Sequence, residues 1–218
     1  DIDPLNPYTD AINIFDADIE MASSLAADLF RDFSEGTNSS GNSFFLNSEE
    51  AHTKSLVTLL IASSKVPDLD INKHLNGGAP TFSEFYQLLT DNNFIFSRVN
   101  ILRVIYQKEL RDYNNWKSDY DIRYEKAFDE WVNSGRDKEL FRGNQPIELW
   151  NEGRELEDKF SEISNLKSAI DYFTKSYYID QRTNKPAFDF DANIQGLVAT
   201  IRRLAMDKRV RRVFFSQS

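Results

Sequence analysis

The chain contains no cysteine, which excludes disulfide bonds and thiolate metal sites. Its 218 residues include only eight glycines and six prolines. Because these residues interrupt helices most strongly, their scarcity permits long helices and argues against an all-β fold. No apolar run approaches the ~20 residues that a membrane-spanning helix needs. We expect a soluble protein that is cytoplasmic or part of a larger particle, although a chain that begins with Asp1 does not exclude export.

Histidine is also scarce, with two residues in the whole chain. His52 follows Glu49 at the Glu-x-x-His spacing that di-iron helical bundles use. Such a centre needs two of these pairs and two further glutamates, and the second histidine, His74, has no glutamate three residues before it. The chain therefore has too few histidine and cysteine ligands to suggest a structural zinc site, and too few histidines to suggest a nucleophile activated by a histidine base.

Two aspartate-rich segments begin as calcium-binding loops do. Asp68–Asn72 and Asp189–Asn193 both alternate Asp, Asp and Asn with other residues, as the first half of such a loop does. Neither continues correctly, because Lys73 and Ile194 stand where the loop requires glycine. We predict no metal site and no cofactor, and the sequence favours a non-catalytic protein.

Charge is distributed unevenly along the chain. The net charge is −9, which disfavours a general affinity for nucleic acid or anionic membranes. Residues 202–212 are an exception, since they hold six cationic side chains against one acid, Asp207. The cationic residues are Arg202, Arg203, Lys208, Arg209, Arg211 and Arg212.

This basic segment has three interpretations. In the first, its cations complement a helix C-terminus and the acidic surface of the protein itself. In the second, it is a docking tail, in which Phe214 and Phe215 anchor in a partner and the arginines engage that partner's acidic groups. In the third, it contacts the phosphate backbone of a nucleic acid.

Helical periodicity begins near the N-terminus. Apolar residues recur at spacings of three and four from Asp10 to Phe33, which predicts one amphipathic helix with a stripe compatible with a coiled-coil contact. The polar segment Ser34–Ser48 is typical of a flexible linker. Its apolar residues Phe44 and Phe45 either anchor the linker to the core or insert into a neighbouring molecule.

Two further helices are predicted before the long ones, and the second of these two is short. Ser48–Ser64 is apolar on nearly every face, so we expect it to be the most buried helix. After a loop, Thr81-Phe82-Ser83-Glu84 forms a capping box, which predicts a helix that ends near Asp91.

Two long helices are predicted to form a hairpin. The first covers about 94–133 and is closed by Gly135. Its apolar face includes Tyr113, Tyr120 and Tyr124. A matching apolar pattern, which includes Phe160, follows the polar segment 136–146 and continues to Tyr177. Long helices joined by a short connection pack antiparallel, so we predict a hairpin over about 94–182.

A last helix should begin at Asp191 or Asn193 and leave the core near Met206, where the apolar pattern changes face. We therefore divide the chain into an N-terminal arm with its linker, 1–47, a helical core that contains the hairpin, 48–206, and a basic tail, 207–218. The predicted fold is an all-α helical bundle with flexible terminal segments.

Three functions are compatible with these patterns. The leading hypothesis is a non-catalytic assembly subunit that contacts other protein chains, in a homo- or hetero-oligomer, through amphipathic helices and terminal segments. The residues predicted to bind the partner are Phe44, Phe45, Arg202, Arg203, Lys208, Arg209, Arg211, Arg212, Phe214 and Phe215. One alternative is a nucleic-acid-associated coat or packaging protein that uses the basic segment. The other is a small-molecule-binding or catalytic bundle with an aromatic pocket near Trp116, Tyr120 and Trp131.

Overall fold

The structure is a computed structural model that describes residues 13–35, 43–66, 70–75, 78–188, 198–199 and 201–202. Of residues 30–35, 43–50, 70–71 and 74 it describes the backbone only. The described chain is mostly α-helical and includes one two-stranded sheet. The helices are α1 Ile19–Glu35, α2 Ser43–Ser64, α3 Phe82–Thr90, α4 Asn92–Asn133, α5 Phe141–Asn144 and α6 Ile147–Ser176. The predicted all-α bundle is confirmed.

The chain divides into two compact units. Unit 1 comprises Asp1–Arg103 and Ser168–Ser218, and unit 2 comprises Val104–Lys167. Unit 1 therefore takes its residues from both ends of the chain, whereas unit 2 is one continuous segment.

In unit 1, the first helix begins later than predicted. Residues Ile14–Asp16 form a single 3-10 turn, and the backbone is extended at Ala17 before α1 begins. Asp18 causes this break, because its side-chain Oδ1 accepts a hydrogen bond from the backbone N–H of Met21 (2.9 Å) and so caps α1. Residues 10–12 of the predicted helix lie outside the described residues.

The linker prediction was wrong at its C-terminal end, because α2 begins at Ser43 and not at Ser48. Gly41 is the last glycine or proline of that segment, and these two residue types oppose helix formation most strongly. The prediction for the rest of α2 is confirmed. Its apolar residues Leu56, Val57, Leu59, Leu60 and Ile61 are all buried.

The capping box at the start of α3 is confirmed. The backbone N–H of Thr81 donates to Glu84 Oε2 (2.7 Å), and the Thr81 hydroxyl accepts from the N–H of Ser83 (3.1 Å). Helix α3 buries Phe82 and Phe85 against Phe15, with ring centroids 5.1 and 5.3 Å from that of Phe15. This aromatic cluster forms part of the core of unit 1.

The hairpin prediction extended too far at its C-terminal end. Helix α6 ends at Ser176, and Tyr177–Asp180 pairs antiparallel with Lys185–Phe188 as strands β1 and β2. Tyrosine and isoleucine favour strands, and the Asp180 carboxylate accepts a hydrogen bond from the Arg182 N–H (2.8 Å) in the turn. A β-hairpin therefore replaces the predicted last turn of the helix.

In unit 2, α4 and α6 run antiparallel, as predicted. Glu109 of α4 contacts Lys159 of α6, and Trp116 of α4 contacts Glu152 of α6. A later residue of α4 thus meets an earlier residue of α6, as in two antiparallel helices. Gly135, at φ +77°, follows the end of α4. The connection between the two helices contains a 3-10 turn, Lys138–Leu140, and the short helix α5.

One aromatic residue of α5 fills the end of this hairpin. Phe141 is buried, and its ring centroid lies 5.3 Å from those of Tyr124 and Phe128 and 6.0 Å from that of Trp131. The segment around it is polar in sequence and was predicted to be a loop. Phe141 gives that loop a fixed place on α4, because a buried aromatic ring contributes a large apolar area.

Candidate functional site

A surface groove of about 710 Å³ lies in unit 2. Aromatic side chains from α4 and α6 make up much of its lining. They are Tyr113, Tyr120, Tyr124, Trp150 and Phe160. Helical spacing explains the arrangement, since residues three, four or seven positions apart lie on one face of a helix.

A glycine brings one of these aromatic side chains close to α6. A Cβ atom added at Gly153 would lie 2.9 Å from the Tyr120 hydroxyl oxygen and 3.5 Å from the Cζ atom. Any larger residue at position 153 would therefore press on the Tyr120 ring. Partial burial raises the pKa of Tyr120, so its hydroxyl stays protonated at neutral pH and can donate a hydrogen bond.

Glu152 fixes the two helices beside the groove. Its carboxylate accepts a hydrogen bond from the Trp116 indole N–H (2.6 Å) and two from the Arg123 guanidinium (2.7 and 2.5 Å). The hydrogen bond from Arg123 is the main cause that lowers the pKa of Glu152, and the one from Trp116 adds to it. The register between α4 and α6 is thereby set at this position.

The charged lining of the groove is only partly neutralised. Lys117 pairs with Asp121 on the same helix (2.5 Å). Arg142, Arg154 and Glu157 also line the groove and are exposed, so its lining holds three cations and two acids. Neither arginine forms an ion pair or a side-chain hydrogen bond with any described residue. Two guanidinium groups are therefore open to a bound molecule.

Arg202 is the one predicted partner-binding residue whose side chain is described, and it is not among the residues that line this groove. Phe44 and Phe45 lie in the first turn of α2, and their side chains are outside the described part of the structure. Arg202 is an exposed helical residue of unit 1. The other predicted residues lie outside the described residues, so their role stays a prediction. They are Arg203, Lys208, Arg209, Arg211, Arg212, Phe214 and Phe215.

The predicted aromatic pocket also differs from the groove, because only Tyr120 of its three residues lines the groove. Trp116 is engaged by Glu152, and Trp131 packs on Phe141 and donates its indole N–H to the Asp137 carbonyl (2.8 Å). Both tryptophans are hairpin contacts.

Sequence reasoning missed the contributions of α5 and α6. Trp150, Arg142 and Arg154 were not singled out, and Phe160 was assigned to the apolar face of its helix, yet it is 55% exposed. A signal was present in the spacing, since Trp150, Arg154, Glu157 and Phe160 follow one another at intervals of three and four.

Two strongly perturbed titratable groups lie in the core of unit 1. Burial lowers the pKa of His52 to about 3, and the Tyr172 hydroxyl forms a hydrogen bond with His52 Nδ1. Burial also lowers the pKa of Arg98 to about 10, against the opposing effect of Glu84. With a pKa of about 10, Arg98 stays charged at neutral pH. Its Nη1 donates hydrogen bonds to the hydroxyls of Ser63 (2.8 Å) and Ser64 (3.0 Å), so it serves as a hydrogen-bonded contact within the core.

Among the described residues, no group of three His, Asp or Glu side chains is close enough to hold a metal ion. The described helices also include none with the length and apolar character required to cross a membrane. Comparisons with models of protein families, with curated proteins and with solved structures find nothing that matches this chain.

Proposed function

We propose that this chain is a non-catalytic helical subunit that binds other protein chains, and that the groove of unit 2 is one of its contact surfaces. The composition of the groove carries this proposal. Seven of its thirteen lining residues are Trp, Tyr, Phe or Arg. Aromatic residues and arginine are enriched at protein–protein interfaces, and Trp, Tyr and Arg contribute most of the binding energy at many of them.

The exposure of the aromatic side chains favours a protein partner over a small molecule. Trp150 is 42% exposed and Phe160 is 55% exposed, so a partner that covers them removes apolar surface from water, which is favourable by about 25 cal/mol per Å². The groove has the volume of a small-molecule site, but such sites enclose most of the ligand surface. An open surface of this kind suits a segment of another chain better.

Light scattering at micromolar concentration and identification of the proteins that co-purify from the native source test the proposal. We expect the chain to associate with copies of itself or with a defined partner. Replacing Trp150 and Phe160 together by serine should weaken that association by about ten-fold or more, because both lose their apolar contact area.

A matched control replaces Val104 and Ile122 by serine. These residues are more exposed than the groove pair, at 68% and 63%, and do not line the groove. Equal weakening by both double substitutions would contradict the groove as the contact surface. A strictly monomeric chain without a co-purifying protein would contradict the proposed function as a whole.

A further inference from the structure

Arg142 and Arg154 are exposed cations of the groove lining. Unit 2 is rich in acids, with fifteen acidic and eleven basic residues among 104–167. Several cations of this unit form ion pairs with acidic residues, among them Lys117, Arg123 and Lys159. The two groove arginines have no acidic partner among the described residues, so both remain able to bind a carboxylate that another molecule supplies.

The chemistry of arginine fits this role. A guanidinium group offers parallel N–H donors that bind both oxygens of a carboxylate, and its flat face packs on aromatic rings. Aromatic side chains line the same groove. A bound segment can therefore place an acidic side chain on an arginine and an apolar side chain on Trp150 or Phe160.

A phosphate would also satisfy the arginines, but the surroundings oppose a nucleic acid. Unit 2 has an excess of four acidic residues, fifteen against eleven, and a nucleic acid brings one negative charge with every nucleotide along its whole length. A short peptide segment brings carboxylates only where the arginines lie. Repulsion by the rest of the surface is therefore weaker for the peptide.

From these contacts we infer that the groove binds an acidic segment of a partner protein, whose carboxylates pair with Arg142 and Arg154. The inference rests on the proposed function and specifies its partner. Because the arginines are exposed, their replacement changes the charge of the groove without removing a core contact.

A labelled peptide provides the test with the full chain. The probes are a short synthetic peptide rich in glutamate with one phenylalanine, its counterpart with glutamine at every glutamate position, and a single-stranded oligothymidylate of similar length. Fluorescence anisotropy measures the dissociation constant of each probe for the parent chain, for R142Q/R154Q and for the control R111Q/K126Q. Arg111 and Lys126 are also exposed, and neither lines the groove.

We expect the glutamate peptide to bind the parent chain about ten-fold more tightly than its glutamine counterpart. R142Q/R154Q should weaken binding of the glutamate peptide by about ten-fold, since it loses charge-assisted hydrogen bonds. The control should stay within about two-fold of the parent chain, because it makes the same change in net charge away from the groove.

Four results would overturn the inference: no binding of either peptide, equal binding of the two peptides, equal weakening by the control, or tighter arginine-dependent binding of the oligothymidylate. The proposed function is decided separately by the serine substitutions at Trp150 and Phe160. If these abolish assembly while the two peptides bind equally, the groove binds protein chains without selecting acidic ones. Circular dichroism of each variant establishes that it has folded.

Discussion

Neutral His52 sits in the core of unit 1, where burial keeps its imidazole uncharged at neutral pH. The unfolded chain exposes the same side chain to water, where its pKa is 6.5. Between pH 6.5 and about 3, the unfolded state therefore binds a proton that the folded state does not. The free energy of unfolding must fall as the pH falls through this window.

We predict that His52 alone makes the protein about 2 kcal/mol less stable at pH 5 than at pH 7, from about 1.4 kcal/mol for each pH unit below 6.5. Urea unfolding at the two pH values measures the difference. His52→Gln, which keeps a polar side chain near Tyr172 but does not titrate, should lose this part of the pH dependence. An identical pH dependence in the parent chain and the variant would show that folding does not lower the pKa of His52.

Single residues also show where sequence reasoning succeeded and where it failed. The capping box at Thr81 and the left-handed Gly135 follow from local chemistry, and both are confirmed. Phe141 was missed because one aromatic residue in a polar connection carries no periodic signal. Tyr177 was assigned to the helix because it continues the apolar spacing of α6, although the strand-forming residues that follow it begin the β-hairpin.

At the scale of the helices, the close approach of α4 to α6 depends on Gly153. Glycine inside a helix destabilises the folded protein by roughly 0.5–1 kcal/mol relative to alanine. Replacing an exposed helical glycine with alanine therefore normally raises the free energy of unfolding. At position 153 the new methyl group would meet the Tyr120 ring. The gain in helix propensity and the contact with Tyr120 therefore oppose each other.

Gly143 of α5 provides the comparison, because an added Cβ atom there meets nothing within 4 Å. We expect Gly143→Ala to raise the free energy of unfolding by about 0.5 kcal/mol and Gly153→Ala to gain less or to lose stability. Chemical denaturation of both variants measures this difference. An equal gain in both would mean that Tyr120 moves aside at no cost.

The groove itself was predictable only in part. Its α4 side follows from the sequence, because Tyr113, Tyr120 and Tyr124 belong to one predicted helical face. Its other side depends on the register between α4 and α6, which Glu152 fixes through Trp116 and Arg123. That register joins residues about 30 positions apart, so neither helical pattern contains it alone.

At the scale of the whole molecule, the basic C-terminal segment remains a predicted contact. Removing residues 209–218 deletes three arginines and no other charged side chain, which changes the net charge from −9 to −12. If the segment docks on a partner, the truncated chain should assemble about ten-fold more weakly with nearly unchanged helicity. Light scattering and far-ultraviolet circular dichroism measure these two properties.

The truncation also separates the interpretations of this segment. Unchanged assembly would reject the docking tail. Salt-dependent binding of RNA or DNA by the intact chain, lost when Arg209, Arg211 and Arg212 are neutralised, would support the nucleic-acid alternative instead.

The division into two units has a spectroscopic consequence. The chain holds three tryptophans, and all of them, Trp116, Trp131 and Trp150, belong to the continuous segment Val104–Lys167. Indole emission therefore records the melting of unit 2 only, while the amide signal of the helices averages over the whole polypeptide. Comparing the two curves shows whether the hairpin loses its structure together with the His52 core or before it.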